Sequence, residues 1–148
     1  MSEINLPQSE ADVLLGMEKH WIEYTPWSFP NPGNNIVLPL TSEDKREEFT
    51  LDVWRSGARL TKGRFLNRSR KVVVLARIDI DAAPHRNPDD IEVPGTHIHI
   101  YREGWGDKWA QPLPADKFPP PHDLMTLIYS FCSFCSIIQP PVIQGSIV

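Results

Sequence analysis

The sequence predicts a single α+β domain of two layers, in which an antiparallel sheet of about five strands carries an N-terminal and a C-terminal helix on one face. Three observations predict this fold. The middle of the chain alternates apolar and polar residues with the period of a strand, both ends carry apolar residues at helical spacing, and short turn-forming segments separate the strands. At 148 residues and 41% hydrophobic, the chain can bury one core, so we predict one domain over residues 1–148.

The two helices are predicted from apolar periodicity and from their first residues. Val13 and Met17 fall at helical spacing after a loose capping box that begins at Ser9, which indicates a helix from about residue 9 to residue 22. Asp123 can cap a final helix whose apolar residues recur at three- and four-residue steps as far as Ile138. Both helices have an apolar side to bury against the sheet.

The strands are predicted from two-residue alternation bounded by turn residues. They cover residues 36–40, 48–54, 58–62, 71–81 and 97–101. Pro39 should confine the first strand to a sheet edge or an ending, because proline cannot donate to a neighbouring strand. Short turns between successive strands favour antiparallel pairing.

Charge is distributed unevenly along the chain. The net charge is -4, yet residues 55–86 hold nine Lys or Arg against two Asp, so 9 - 2 = +7, and the remaining 6 basic and 17 acidic residues give -11. A basic segment inside an acidic protein is typical of a polyanion contact, although a solvated sheet face has the same composition. The candidate nucleic-acid-binding residues are Arg64, Arg68, Arg70, Lys71, Arg86 and Trp105.

Two strands joined by a proline-rich segment place polar groups on one face. Isoleucines occupy alternate positions in both strands, so the other positions share the opposite face if the isoleucines point to the core. His85, in the joining segment, is predicted to reach over this polar face. The face is formed by Arg77, Asp79, Asp81, His97, His99 and Tyr101.

This polar face predicts RNA cleavage without a metal. The reaction needs a base for the ribose 2′-OH, an acid for the leaving 5′ oxygen and cations for the phosphate. His97 and His99 are the candidate acid and base, and His85 could replace either of them. Arg77 is the candidate phosphate clamp. Asp79 would orient a histidine, and Tyr101 would donate to a phosphate oxygen.

The same residues carry a resemblance to a known family. The order of Arg77-x-Asp79, then Pro84-His85, then His97-x-His99 resembles the TumE-type toxins of bacterial toxin-antitoxin pairs. The wider string looks still closer to an uncharacterised family of short bacterial and prophage proteins, over roughly residues 49–138. The resemblance implies interference with RNA or translation through RNA cleavage, held in check by a cognate antitoxin.

Two further function classes use these residues. His85, His97 and His99, with Asp79 or Asp81, also supply the nitrogen and oxygen ligands of a metal-dependent hydrolase, although the nearby cations oppose a dication. A non-catalytic, prophage-associated binding or inhibitor protein would use the basic face alone. We prefer the RNA-cleaving mechanism, with no metal and no cofactor.

The remaining expectations concern location and partners. The N-terminus lacks a signal-peptide pattern and no apolar stretch could span a bilayer, so we expect a cytoplasmic protein without membrane contact. RNA and a cognate antitoxin or other protein are the expected partners, and a homodimer is compatible with the sequence. Cys132 and Cys135 lie in the apolar final helix and are expected to be buried, reduced thiols.

Overall fold

The alternating residues of the middle of the chain build one large antiparallel sheet. The computed structural model describes residues 5–22, 26–138 and 143–144. The helices are α1 (Gln8–Gly16) and α2 (Leu124–Phe134); the strands are β1 (Lys19–Trp21), β2 (Trp27–Ser28), β3 (Asn35–Ser42), β4 (Glu48–Arg55), β5 (Gly63–Ser69), β6 (Val73–Ile80), β7 (His85–Arg86), β8 (Glu92–Val93), β9 (His97–Ile100), β10 (Ala110–Pro112) and β11 (Ile143–Gln144).

The large sheet has seven strands in the order β1-β3-β4-β5-β6-β9-β10, and every neighbouring pair is antiparallel. Two small pairs lie outside it: β7 with β8, antiparallel, and β2 with β11, parallel. The α+β class and the antiparallel sheet are therefore confirmed. The strand count of about five was too low because β1 and β10 have three residues each, too few to show a period. The strand expected over residues 58–62 was wrong, because that segment is a turn and the partner of β4 begins at Gly63.

Strand register separates an apolar face from a polar one. Val53, Phe65, Ile78 and Ile98 pair across β4, β5, β6 and β9 in one continuous row, and none of the four is exposed to solvent. The adjacent positions on the same strands pair as Trp54, Arg64, Asp79 and His97 and point to the opposite face. One face therefore contributes the core, and the other carries the candidate site.

Helix α2 packs against the apolar face, as predicted. The Asp123 carboxylate accepts a hydrogen bond from the Thr126 N–H at 2.8 Å, which caps the first turn. The ring centroid of Phe131 lies 6.1 Å from that of Phe65 on β5. The leucine at the start of α2 lies so close to Gly63 that a Cβ there would stand 2.9 Å from a methyl carbon.

The N-terminal helix differs from its prediction in length and in position. It ends at Gly16, and Lys19 begins strand β1, so residues 19–21 were wrongly assigned to a helix. The Lys19 ammonium is fully buried and donates to the carbonyls of Leu15, Met17 and Cys135 at 2.8, 3.0 and 2.7 Å. These carbonyls belong to the ends of both helices, where backbone acceptors lack helical partners. A buried lysine thus joins the two helix ends.

Helix α1 lies at one end of the sheet. Its Glu10 pairs with Arg70 in the turn between β5 and β6 at 2.8 Å, and Gln8 donates to the Tyr101 carbonyl beyond β9 at 3.1 Å.

Pro39 lies in the part of β3 that pairs with β4 on one side but has no partner in β1 on the other. The backbone N–H that proline lacks would therefore face no neighbouring strand. None of the described helices is long and apolar enough to cross a membrane.

Candidate functional site

The predicted polar face exists, and strand register creates it. Arg77 pairs with His99 and Asp79 pairs with His97 across β6 and β9, while Ile78 pairs with Ile98 on the other side. His85 is added by β7, in the segment that joins these two strands. We refer to Arg77, Asp79, His85, His97 and His99 as the histidine cluster.

The three imidazole rings of the histidine cluster converge. Ring centroids lie 5.0 Å apart for His97 and His99, 4.6 Å for His85 and His99, and 5.9 Å for His85 and His97. The cluster is held together by a buried amide: the Asn87 side chain donates to the Ala110 carbonyl at 2.9 Å and accepts from the Ala110 N–H at 2.8 Å. This clamp fixes the segment that carries His85 to strand β10.

Each histidine has one ring nitrogen bound to a backbone carbonyl. The distances are 2.7 Å from His97 Nδ1 to the Gly95 oxygen, 2.8 Å from His99 Nδ1 to the Asp107 oxygen, and 2.8 Å from His85 Nε2 to the Lys108 oxygen. A carbonyl only accepts, so each of these ring nitrogens carries a proton. In the neutral imidazoles the other nitrogen, Nε2 of His97 and His99 and Nδ1 of His85, presents a lone pair.

Asp79 is the buried anion at the centre of the cluster. One carboxylate oxygen contacts Arg64 Nε at 2.9 Å and Arg77 Nε at 3.2 Å, and the other lies 3.3 Å from His97 Nε2 and 3.4 Å from His99 Nε2. Burial alone would raise the pKa of Asp79, but the positive charges of Arg77 and Arg64 hold it well below its usual value. Asp79 is therefore ionised at neutral pH.

His99 is neutral and accepts a hydrogen bond from Arg77. Burial, with the Arg77 charge, lowers the pKa of His99, although contact with Asp79 acts in the other direction. The Arg77 NH2 group lies 2.9 Å from His99 Nε2, and the NH1 group of the same guanidinium lies 2.7 Å from the Asp107 carboxylate. Arg77 thus connects the cluster to the loop that follows β9.

His97 is the unsatisfied member of the cluster. Its side chain is 1% exposed, and Nε2 has no hydrogen-bond partner among the described residues, although it lies 3.3 Å from the Asp79 carboxylate. A neutral His97 would point a lone pair at an anion, which is repulsive unless a cation lies between them.

His97 and His99 do not line an open surface, which corrects the expectation of an exposed catalytic face. Their side chains are 1% and 0% exposed. The reason is that the loop after β9 folds back to form β10, and its Asp107 carbonyl binds the ring of His99. The His85 ring also covers His99, edge-on, with ring centroids 4.6 Å apart. Sequence alternation identifies a face of a strand but gives no information about a loop that later covers it.

An open cleft of about 350 Å³ lies next to the buried rings. Arg77 and His85 reach it from the histidine cluster, and its other cations come from β7 and from the loop before β10. Its lining residues are Arg77, His85, Arg86, Pro88, Asp107 and Lys108.

Tyr101 is not part of the site. Strand β9 ends at Ile100, so the two-residue alternation that was expected to place Tyr101 on the same face as His99 does not extend to Tyr101. Its hydroxyl donates to the Leu6 carbonyl at 2.8 Å, and its ring belongs to the core. Asp81 is also elsewhere, because its carboxylate accepts from Thr61 and from Arg59 at 2.5 and 2.7 Å.

The basic segment is largely neutralised in the folded protein. Within the part of the chain that the structure describes, at least six of its nine cations form ion pairs with carboxylates, most of which come from other parts of the chain. The pairs are Arg59–Asp81, Arg64–Asp79, Arg68–Asp52, Arg70 with Glu10 and Glu47, Arg77 with Asp79 and Asp107, and Arg86–Glu92. The excess of +7 along the sequence is therefore not an excess of +7 on one surface.

The candidate nucleic-acid-binding residues separate into two groups. Arg86 lines the cleft, and Trp105 is 44% exposed, with its ring edge-on to Trp109 at 5.9 Å, in the loop that supplies Asp107 and Lys108. Arg64 touches the cluster through Asp79. Three others lie away from the cleft: Arg68 pairs on β4, and Arg70 and Lys71 form the turn between β5 and β6.

Sequence reasoning missed the loop residues that complete the site. The Gly95 carbonyl, the Asp107 carboxylate and carbonyl, and the Lys108 carbonyl all bind members of the cluster. Gly104 and Gly106 have positive φ angles, which bend the loop back toward β9. These two glycines are the signal in the sequence from which the returning loop could have been found.

Comparisons with known proteins identify a family without an assigned activity. Among curated proteins and among solved structures, nothing matches the chain. A family described as a family of unknown function, DUF6978, matches residues 6–137, a longer range than the roughly 49–138 expected from the motif. The chain therefore belongs to DUF6978.

Proposed function

We propose that the protein cleaves phosphodiester bonds in RNA at the cleft beside the histidine cluster. The observation that carries the proposal is that one cleft brings together a half-buried imidazole, His85, and a guanidinium, Arg77, that is already oriented by two carboxylates. Such cleavage needs a proton acceptor and a fixed cation at the same phosphate.

The charge of the cleft favours an anionic ligand. Arg77, Arg86 and Lys108 contribute three positive charges and Asp107 one negative charge, so the lining carries 3 - 1 = +2. The Arg86–Glu92 ion pair is more than half exposed on both sides, and such pairs are weak in water. A phosphate can therefore recruit Arg86 at little energetic cost.

His85 is the proposed proton acceptor, because His97 and His99 are too deeply buried to touch a phosphate. Its Nε2 is held by the Lys108 carbonyl, and its Nδ1 has no hydrogen-bond partner among the described residues. Nδ1 would take the proton of the 2′-OH, whose oxygen attacks phosphorus. The bond to the 5′ oxygen then breaks, and that oxygen takes a proton from the imidazolium or from water in the open cleft.

Arg77 would stabilise the charge that develops on the phosphate oxygens. Its guanidinium has a planar fork of donors that matches a phosphate. The products would be a 2′,3′-cyclic phosphate and a 5′-hydroxyl. Asp79, His97 and His99 would support the position of Arg77 from behind the cleft.

The experiment compares two oligonucleotides of one sequence, one of RNA and one carrying 2′-O-methyl groups, in the presence of EDTA. We expect cleavage of the RNA alone, because the nucleophile is the 2′-OH. Substitution His85→Ala should lower the rate by about 10²- to 10⁴-fold. The matched control is His122→Ala, because His122 also binds a backbone carbonyl, that of Phe118 at 2.9 Å, but lies outside the cluster.

RNA that stays intact at stoichiometric protein, with EDTA and with added zinc, would contradict the proposal, as would a fully active His85→Ala variant. The resemblance to TumE-type toxins extends the proposal to cells. Expression should arrest bacterial growth unless an antitoxin is co-expressed, and the His85→Ala variant should not arrest it. Growth arrest by that variant would assign toxicity to binding instead of cleavage.

A further inference from the structure

We propose that Asp79, His97 and His99 form a binding site for one divalent transition-metal ion of the zinc type. We call these three residues the metal trio. The inference does not depend on RNA cleavage, because it concerns buried atoms behind the cleft and its test measures metal binding.

The donor atoms of the metal trio have the chemistry and spacing that zinc requires. Two imidazole nitrogens and one carboxylate oxygen lie within 4.8 Å of one another. Tetrahedral zinc with bonds of about 2.05 Å has ligand atoms about 3.3 to 3.4 Å apart. The Asp79 oxygen lies 3.3 Å from His97 Nε2 and 3.4 Å from His99 Nε2, so two edges of the tetrahedron already have this length.

The orphaned nitrogen of His97 is an independent observation that indicates a cation. Among the described residues, Nε2 is buried without a hydrogen-bond partner, and it lies 3.3 Å from the Asp79 carboxylate. Nδ1 is bound by the Gly95 carbonyl, as His99 Nδ1 is bound by the Asp107 carbonyl. Histidines that ligate metals commonly donate their second N–H to a carbonyl in this way, which fixes the tautomer and aims the ligating lone pair.

Arg77 is the group that must move when a metal binds. Its NH2 group lies 2.9 Å from His99 Nε2, on the lone pair that zinc would take. The same guanidinium retains the Asp107 carboxylate at 2.7 Å, so it can withdraw toward the cleft without losing its counter-ion. Arg77 opposes a dication less than an unpaired cation would, because it also pairs with the Asp107 carboxylate, which lies outside the metal trio.

The site would leave a coordination position for a further ligand. Three protein ligands plus an open fourth position are typical of catalytic zinc. The His85 ring, 4.6 Å from that of His99, is a further nitrogen donor in the cluster. The ligand set contains no cysteine, since Cys132 and Cys135 are both buried in or just after α2.

The test uses the full chain without a histidine tag, stripped with EDTA and titrated with zinc chloride by calorimetry. We expect one zinc per chain, weakened about a hundredfold or more by Asp79→Asn or His97→Gln, since even outer-shell partners of a metal are worth up to that factor. The control His122→Gln should bind zinc as the unsubstituted chain does.

A second measurement needs no substitution and so does not depend on a variant that folds. In NMR spectra of the unsubstituted chain, zinc should shift the ring signals of His97 and His99 and leave those of His20 and His122 in place. Failure of the folded chain to bind zinc would overturn the proposal. Binding that shifts the control histidines, or that survives Asp79→Asn unchanged, would place the metal elsewhere and overturn it as well.

Discussion

Substitution Arg77→Met should act in opposite directions on metal binding and on RNA cleavage. The Arg77 guanidinium blocks the His99 lone pair and is also the proposed phosphate clamp. Methionine fills similar space without charge or donors. We therefore expect tighter zinc binding together with a loss of cleavage.

The size of the effect on zinc follows from the contacts that the metal must break. The Arg77 NH2 group lies 2.9 Å from His99 Nε2 and 3.2 Å from an Asp79 oxygen. Hydrogen bonds to charged groups contribute about 1.5 to 3 kcal/mol each, so zinc must replace interactions worth about 3 kcal/mol or more. The Arg77→Met substitution removes these interactions before zinc binds, so it should make the free energy of zinc binding more favourable by about 3 kcal/mol, or the affinity about a hundredfold higher.

Arg64→Met is the matched control for charge. Arg64 pairs with the same Asp79 carboxylate at 2.9 Å, but its side chain is 47% exposed, and among the described residues no hydrogen bond joins it to a histidine. Its removal should change zinc affinity by less than about 1 kcal/mol, which is a few-fold. Competition against a chromophoric chelator measures all three proteins, with circular dichroism to confirm folding. Equal or weaker zinc binding by a folded Arg77→Met variant would refute the reasoning.

Three further predictions concern stability and reactivity. Gly63→Ala should lower the unfolding free energy by about 1 to 3 kcal/mol in urea titrations, because the new Cβ would lie 2.9 Å from a Leu124 methyl carbon and 3.0 Å from the Trp54 carbonyl oxygen. The control Gly16→Ala, whose Cβ would have no heavy atom within 4 Å, should change the unfolding free energy by less than about 1 kcal/mol. Equal effects of the two substitutions would contradict this packing. The pKa of Asp79 is held below its usual value in the folded protein, so on acidification the unfolded carboxyl takes up a proton first, and the unfolding free energy should fall as the pH drops below about 4. Asp79→Asn should flatten the dependence of the unfolding free energy on pH below about 4. An unchanged dependence in this variant would show that other carboxyls cause the loss of stability. Burial raises the pKa of the Cys132 thiol to about 12 and also raises the pKa of the Cys135 thiol. Iodoacetamide at about pH 8 should therefore label neither thiol in the folded protein and both thiols after unfolding, as measured by mass spectrometry. Rapid labelling without denaturant would mean that α2 opens readily.

The polar face could be predicted because Ile78 and Ile80 of β6, and Ile98 and Ile100 of β9, alternate with polar residues. The exact register, which pairs Arg77 with His99 and Asp79 with His97, could not be predicted, because a shift of two residues would keep every side chain on the same face. Polar groups far apart in the sequence therefore meet as a direct consequence of burying their neighbours. The same reasoning could not find β1 and β10, which are too short to have a visible period.

The parts that could not be predicted depend on contacts between distant segments. Arg70 pairs with Glu10, 60 residues away, and Asn87 holds Ala110, so neither the neutralised charge nor the covered histidines have a local signal. Lys19 shows the same limit: within the N-terminal segment it resembles a solvated helix residue, but the ends of two helices enclose its ammonium. Local patterns describe one segment at a time, whereas these features arise from pairs of segments.

Arg77 belongs both to the cleft wall and to the surroundings of the metal trio, and this links the two proposals. A phosphate in the cleft would draw the guanidinium away from His99 Nε2, and zinc on that nitrogen would drive the guanidinium toward the cleft. Linkage then requires zinc and the nucleic acid to raise each other's affinity by the same factor. A 2′-O-methyl oligonucleotide, which binds without being cleaved, allows both titrations to be compared. If the two ligands competed instead, Arg77 could not both clamp a phosphate and make way for a metal, and one of these two roles would have to pass to another residue.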